Sequence, residues 1–237
     1  GLRVIRSGVG PERSRRTCAR LHGEVAERWV IAGLCGAVET DLEPGDVIMT
    51  TDGYDIGAHP QDLTIVVPAF FESELAGYAA IKAHQLDIGA KDPYCTDTVD
   101  VFQEGTIFPS VKLYRSGQLN EDIYRTLIAN SRLPKALEGD LAAQIGAAHT
   151  GVRAFQLILE RYGRDTFTAA STRLLDHSEQ KIRNIFNHIP DGRYVSQGEM
   201  DNNGITDEAV PFEIAVEISG SDVVIDFTNV PAQQAGP

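Results

Sequence analysis

HPQDLTIVVPAFFESELAGYAAIKAHQLD, residues 59–87, carries one short pattern at each end: His59-Pro60-Gln61-Asp62 opens it and His84-Gln85-Leu86-Asp87 closes it. Between them, Leu63 to Phe71 is dense in Val, Ile and Phe and reads as a strand. Glu72-Ser73-Glu74 reads as a turn and Leu75 to Ala83 as the partner strand. Antiparallel pairing sets the outer ends of two such strands side by side, so the hairpin delivers both His-x-x-Asp copies to one edge. Two imidazoles bound to one ion at about 2.1 Å each are then expected within about 4 Å of one another. Neutral imidazole nitrogen with carboxylate oxygen is the donor mix of a catalytic zinc, manganese or iron ion. A structural zinc would more often use thiolates, and no two of Cys18, Cys35 and Cys95 are spaced for that.

Outward from the hairpin, Glu43-Pro44-Gly45-Asp46 reads as a turn and Val47-Ile48-Met49 as a short buried strand. Asp52 to Ala58 reads as a polar loop leading to the first histidine, and residues 87–110 as a long, ordered functional loop. Helices follow. Asn120 is positioned as an N-cap for a helix to about Asn130. Pro134 starts a longer helix with Leu137, Leu141, Ile145, Ala148, Val152, Phe155 and Leu159 on one stripe, ending near Gly163. A third helix is expected from about Asp165 to Ile189, bearing Leu174, Leu175, Ile182, Ile185 and Phe186. Beyond Pro190-Asp191-Gly192 the period changes to two, with Phe212, Ile214, Val216 and Ile218, then Val223, Ile225 and Phe227 after a Ser219-Gly220-Ser221 turn. Strands, then helices, then strands, without a repeating strand-helix unit, predict an α+β fold with mixed strands, a central helical segment and the metal site at the edge of the β-hairpin.

With 237 residues there is length for one large domain or two small ones. No apolar run approaches the roughly 18 residues of a membrane span. A net charge of −13 argues against a nucleic-acid surface. Three scattered cysteines make no disulfide framework and no secretory leader is visible, which together predict a cytoplasmic protein. Arg3, Arg6, Arg13, Arg15, Arg16, Arg20 and Arg28 crowd the first forty residues. That segment reads as a poorly packed terminus in preference to a basic arm for an anionic partner. Gly8-Val9-Gly10, Gly33 and Gly36 are followed by no Gly-Lys-Ser/Thr, so they form no P-loop. His149, His177 and His188 read as ordinary helical residues and Cys95 as a bystander, since a nucleophile needs an adjacent base.

Taken in order, Gly45-Asp46-Val47-Ile48, Asp52-Gly53-Tyr54, His59-x-x-Asp62, Ala83-His84-x-x-Asp87-Ile88-Gly89 and Val101-Phe102-Gln103-Glu104-Gly105 resemble the hydantoinase B family. Val224-Ile225-Asp226-Phe227-Thr228 and Gln234-Ala235-Gly236-Pro237 extend the resemblance, which covers about residues 41–237 and leaves 1–40 unmatched. The family includes subunits of ATP-dependent hydantoinases, 5-oxoprolinases and acetone and acetophenone carboxylases. The resemblance implies an A-type partner that uses ATP to phosphorylate the substrate carbonyl oxygen, in a hetero-oligomer. It implies one divalent ion, zinc or manganese, held by His59, Asp62 and His84. Asp87 is implied beside the second histidine, either orienting His84 or acting as a general base near bound water. The expected reaction is hydrolysis of a cyclic amide such as a hydantoin or oxoproline. Alternatives are an acetone/acetophenone-type carboxylase subunit acting on a ketone, and an inactive truncated fragment that only binds its partner. Two departures stand out. No counterpart of the family's Arg-Asp-Phe-Ser-like aspartate segment occurs in residues 1–40, and the family chain runs on well beyond Pro237. Strands Phe212–Ile218 and Val223–Phe227 are therefore expected to lack partners and to leave an exposed edge and apolar face.

Overall fold

The computed structural model of the chain describes residues 41–236 other than Gly57 and Tyr94. The arginine-rich residues 1–40, with Cys18 and Cys35, lie outside the described residues, as does Tyr94 of the loop after the second motif. The fold has two compact units, one built on residues up to Cys95 and Val101–Gln156, the other on Thr96–Asp100 and Leu157 onward.

The first unit is an antiparallel five-stranded sheet with helices on one face. Its strands are β1 (Val47–Thr50), β2 (Thr64–Phe71), β3 (Glu74–Lys82), β4 (Val111–Arg115) and β5 (Gln118–Leu119), in the spatial order β3-β2-β1-β4-β5. The β2–β3 hairpin forms where the sequence predicts it, and Glu72 and Ser73 both take positive φ (52° and 67°) as its two-residue turn. Val47, Met49, Leu63, Ile65, Val67 and Leu113 are buried on the sheet side of the core. Against them pack α2 (Glu121–Ala129), through Leu127, and α3 (Pro134–Tyr162), through Leu137, Leu141 and Ala148. Asn120 caps α2 as expected, its Oδ1 accepting from Ile123 N–H. Helix α3 comes very close to β3: a Cβ on Gly77 would stand 3.0 Å from the Phe155 ring, and one on Gly151 would stand 3.2 Å from Ala79 Cβ.

Two local features depart from the sequence reading. The polar stretch after β1 contains a one-turn helix α1 (Gly53–Ile56), started by Asp52, whose Oδ1 accepts from Tyr54 N–H at 3.0 Å. The β4–β5 hairpin was not foreseen, although Val111-Lys112-Leu113-Tyr114-Arg115 alternates and Ser116-Gly117 turns with positive φ (47° and 81°). The alternation is masked because Lys112 is buried. Its ammonium meets Asp46 Oδ2 at 3.0 Å and donates to Asp41 O at 2.7 Å. Burial raises the pKa of Asp46, but N–H donors from Ser116 and Glu43 and the Lys112 ammonium together hold it below the usual carboxylate value.

The second unit holds α4 (Arg164–Phe186) and an antiparallel sheet of β6 (Gly192–Met200), β7 (Val210–Ser219) and β8 (Asp222–Asp226), ordered β6-β7-β8. β6 was missed because it is rich in Gly, Arg, Ser, Gln and Glu and has no apolar alternation. Its presence corrects one expectation: β7 is paired along both edges, by β6 and β8. Exposed apolar side chains do occur, with Val224, Ile225 and Phe227 near β8 and Leu174, Leu175, Ile182 and Ile185 on α4 all more than half exposed. No helix among the described residues is long and apolar enough to cross a membrane.

Candidate metal centre

The hairpin's pairing runs on past its strand ends. Ala83 N–H donates to Leu63 O at 3.2 Å and Gln85 N–H to Gln61 O at 2.7 Å, continuing the register in which Thr64 faces Lys82. In that register Asp62 lies directly opposite His84, as a non-hydrogen-bonded pair whose side chains approach most closely. His84 Nδ1 and Asp62 Oδ1 are accordingly 3.0 Å apart. The register depends on one irregularity. Phe70 faces Leu75 and Ala69 faces Gly77, so Ala76 is an extra, bulged residue on β3. Were Ala76 instead paired with Ala69 in a regular ladder, Asp62 would face Ala83, and His84 would face Gln61, on the other side of the sheet.

His59 arrives by a turn. Asp62 N–H donates to His59 O at 3.0 Å, which folds the chain back before β2. The His59 and His84 rings then meet edge to face, with centroids 5.7 Å apart and planes at 72°. Their side chains are 59% and 46% exposed, so both rings reach solvent. Glu104 joins them from the long loop: its Oε2 lies 4.0 Å from His59 Nδ1.

The second copy of the motif behaves otherwise. The Asp87 side chain is fully buried and accepts from Arg132 three times, from its backbone N–H (2.6 Å), Nε (2.8 Å) and Nη2 (2.6 Å). Gly89 N–H adds a fourth bond at 3.1 Å. The Arg132 guanidinium is the largest cause of a pKa lowered to about 2, and it outweighs the desolvation that burial imposes. Among the described residues no hydrogen bond joins Asp87 to His84. A carboxylate so engaged has no lone pair to spare and little basicity, so the expectation of a general base or an orienter of His84 gives way to an anchoring role. Arg132 also donates to Ala90 O at 2.8 Å, fastening the loop behind His84 to the end of α2.

Gln144 provides a second fastening, from the apolar stripe of α3. Its Nε2 donates to Leu63 O (3.0 Å) and Ile81 O (3.4 Å), and its Oε1 accepts from Gln85 Nε2 (2.7 Å). It thus holds the backbone next to Asp62 and near His84 from the opposite face of the sheet. Arg132 and Gln144 carried no sequence signal beyond their positions, because their role depends on which strand end they meet. Glu104 stood within a quoted motif without an assigned role. Cys95 sits in a local turn with Asp92, its Sγ donating to Asp92 O at 3.0 Å.

Two nitrogens and two carboxylates suit a divalent first-row ion. Among the described residues, no three His, Cys, Asp or Glu side chains stand ready-made to hold one. They form two neighbouring pairs, His84 with Asp62 and His59 with Glu104. With bonds near 2.1 Å an ion lies about 3.2 Å from each ring centre, allowing centroids up to about 6.4 Å apart. Adjacent ligand atoms of such an ion are about 3.0–3.4 Å apart, a range that includes the His84–Asp62 contact. The donor types suit such an ion, and side-chain rotation would be needed to bring them together.

The sequence model of the hydantoinase B/oxoprolinase family matches residues 24–237. The chain belongs to the hydantoinase B/oxoprolinase family. The match takes in the last part of the segment that the motifs alone left unmatched. A candidate B-type subunit of a D-/L-hydantoinase from Pseudomonas sp. (strain NS671) is 33% identical over 235 residues, 93% of this chain and 40% of that one. The acetophenone carboxylase delta subunit of Aromatoleum aromaticum is 23% identical over 83% of this chain and 29% of its own length. The crystal structure of the ATP-dependent caprolactamase from Pseudomonas jessenii superposes with a TM-score of 0.73 at 32% identity, covering 80% of this chain and 33% of that one. The mixed fold of antiparallel sheets and helices is thus shared with a family member. The chain spans two-fifths or less of the length of these relatives.

Proposed function

We propose that the chain is part of the metal-dependent B-type subunit of an ATP-dependent cyclic amide hydrolase, of the hydantoinase, oxoprolinase or lactamase kind. The observation that carries the reading is the cross-strand meeting of His84 with Asp62, beside a solvent-facing His59. His59, Asp62 and His84 would hold one zinc or manganese ion. When bound, the ion supplies Lewis-acid polarisation of a carbonyl and lowers the pKa of water. The chain's own residues do the rest. In the Nδ1–H tautomer His84 would donate to Asp62 Oδ1, and holding an ion through Nδ1 would move that proton to Nε2. The Asp87–Arg132 bridge and Gln144 hold the two ends of the hairpin in register, limiting the reorganisation that closing the set requires. The exposure of both rings leaves one side open for a small cyclic amide.

ATP use is assigned to an A-type partner, with which this chain forms a hetero-oligomer. A ketone carboxylase component is the second reading, favoured by the similarity to the acetophenone carboxylase delta subunit. The deciding experiment reconstitutes the chain with its A-type partner and follows ATP hydrolysis with hydantoin, 5-oxoproline, caprolactam, or acetophenone plus bicarbonate. Turnover that needs a cyclic amide, both proteins and zinc or manganese is the expected result. Turnover with acetophenone and bicarbonate alone would replace it with the carboxylase reading, and none with any substrate would sink both.

A further inference from the structure

We propose that Gln61 and Gln85 hold one buried water molecule between their side-chain oxygens, at the end of the β2–β3 hairpin and on the face of the sheet turned toward α3. The site needs neither an ion nor a partner subunit.

Two facing residues build it. Gln85 N–H donates to Gln61 O at 2.7 Å, so the two stand directly opposite one another and their side chains leave the hairpin on the same side. Both residues are buried, at 5% and 0% exposure. Both side-chain oxygens are shut off from solvent, and no hydrogen-bond donor among the described residues reaches either. A buried acceptor that has lost bulk water and gained no donor is costly, so nearly every such atom in a folded protein is met by protein or by an ordered water.

Turning the Gln85 amide over does not relieve it. Leu63 O and Ile81 O are backbone carbonyls that only accept, so Gln144 must present its Nε2 to them, at 3.0 and 3.4 Å. Its Oε1 is then left to face Gln85, which must answer with Nε2, at 2.7 Å. The same Nε2 donates to Ala83 O at 3.3 Å. A reversed Gln85 amide would set its oxygen against two others. The backbone thus fixes Gln144, Gln144 fixes Gln85, and Gln85 Oε1 is left over as an acceptor.

The occupant follows from the kind of atoms to be met. Both are acceptors, which suits a neutral molecule with two O–H groups, and a water bound through two to four polar partners has that form. A metal cation bound through oxygen takes about six such atoms or more, and two are too few. Facing residues of a hydrogen-bonded pair have Cα atoms about 5.5 Å apart. A water donating to two oxygens at about 2.8 Å each spans about 4.5 Å between them, so a single molecule reaches both. It would tie the residue before Asp62 to the residue after His84, behind the face on which those two side chains meet.

The test is crystallographic, with a solution measurement beside it. Wild type and Gln61→Met are crystallised, and wild type also from rubidium chloride with data collected at the rubidium edge. Oxygen-17 relaxation dispersion of the solvent counts long-lived internal waters in both proteins. The expected result is a fully occupied peak within hydrogen-bond distance of both oxygens in wild type, without a rubidium signal. Gln61→Met should lose the peak and count one long-lived water fewer. A Gln61 amide whose nitrogen donates to Gln85 Oε1 would overturn the proposal, as would a donor from residues 1–40 at either oxygen. So would a rubidium peak, which would make the occupant a monovalent cation, or a peak that survives unchanged in Gln61→Met. Should Gln61→Met fail to melt cooperatively, the wild-type density decides: a water on both oxygens supports the proposal, and none between them ends it.

Discussion

Two copies of one tetrapeptide pattern meet opposite fates in this chain. In His59-x-x-Asp62 the carboxylate lies across the hairpin from an exposed imidazole, 3.0 Å away. In His84-x-x-Asp87 the histidine joins that exposed group while the aspartate turns inward onto Arg132, wholly buried. Identical spacing thus supplies a candidate ligand in one place and a structural ion pair in the other. What separates them is the neighbourhood each aspartate meets. Asp62 sits at a register position facing a side chain, whereas Asp87 sits where the chain leaves the sheet and runs beneath the end of α2. Spacing brings donors near one another; it does not decide which of them remain available.

The sharpest way to break the contrast is to remove the donors. His59→Ala with His84→Ala should abolish binding of about one equivalent of zinc or manganese, measured by elemental analysis, while Asp87→Asn, if folded, keeps it. Equal metal content in wild type and double variant would end the assignment. A subtler perturbation leaves every donor in place. Inserting one alanine after Lys82 places it opposite Leu63, turns His84 to face Gln61, and should lower ion affinity by roughly tenfold or more while circular dichroism still reports a folded sheet. Undiminished affinity would mean that the site does not depend on the cross-strand register.

Asp87 should show itself in stability instead. Asp87→Ala is expected to cost about 3 kcal/mol in denaturant unfolding, the low end for a broken buried ion pair because Arg132 reaches water. The pH dependence has a definite sign. A carboxyl held at about 2 in the fold, against 3.8 otherwise, adds stability that is complete above the unfolded value and lost as pH falls through about 2. Wild type should therefore lose roughly 2 kcal/mol between pH 5 and 2 that Asp87→Asn does not lose. Parallel acid titrations of the two proteins would contradict this. The smallest effect belongs to Gln144. Gln144→Leu should cost about 1–2 kcal/mol, since it strips donors from the Leu63 and Ile81 carbonyls, and should weaken ion binding only a few-fold. A stability equal to wild type would show that those carbonyls find other donors.

Much of the fold was legible because its signals are local. The β2–β3 hairpin has two apolar runs flanking a short polar turn, and α3 repeats apolar residues along one stripe from Leu137 to Phe155. Where the signal was lost, a buried charge or a polar strand had masked it. Lys112 masks the alternation of β4, and β6 has no apolar alternation.

The sequence by itself determined that two histidines and their carboxylates come to the same end of a hairpin, because strand length and turn position follow from local propensity and period. Only the tertiary structure decided which donors share the site. A single bulged residue, Ala76, sets which side chain His84 faces, and bulges have no reliable one-dimensional signature. The withdrawal of Asp87 likewise needed Arg132, 45 positions away, to neutralise a carboxylate that burial alone would have disfavoured. Glu104 needed a loop pinned at both sides to reach His59. Each of these outcomes turns on contacts between distant segments, whose energies depend on geometry that residue order does not encode.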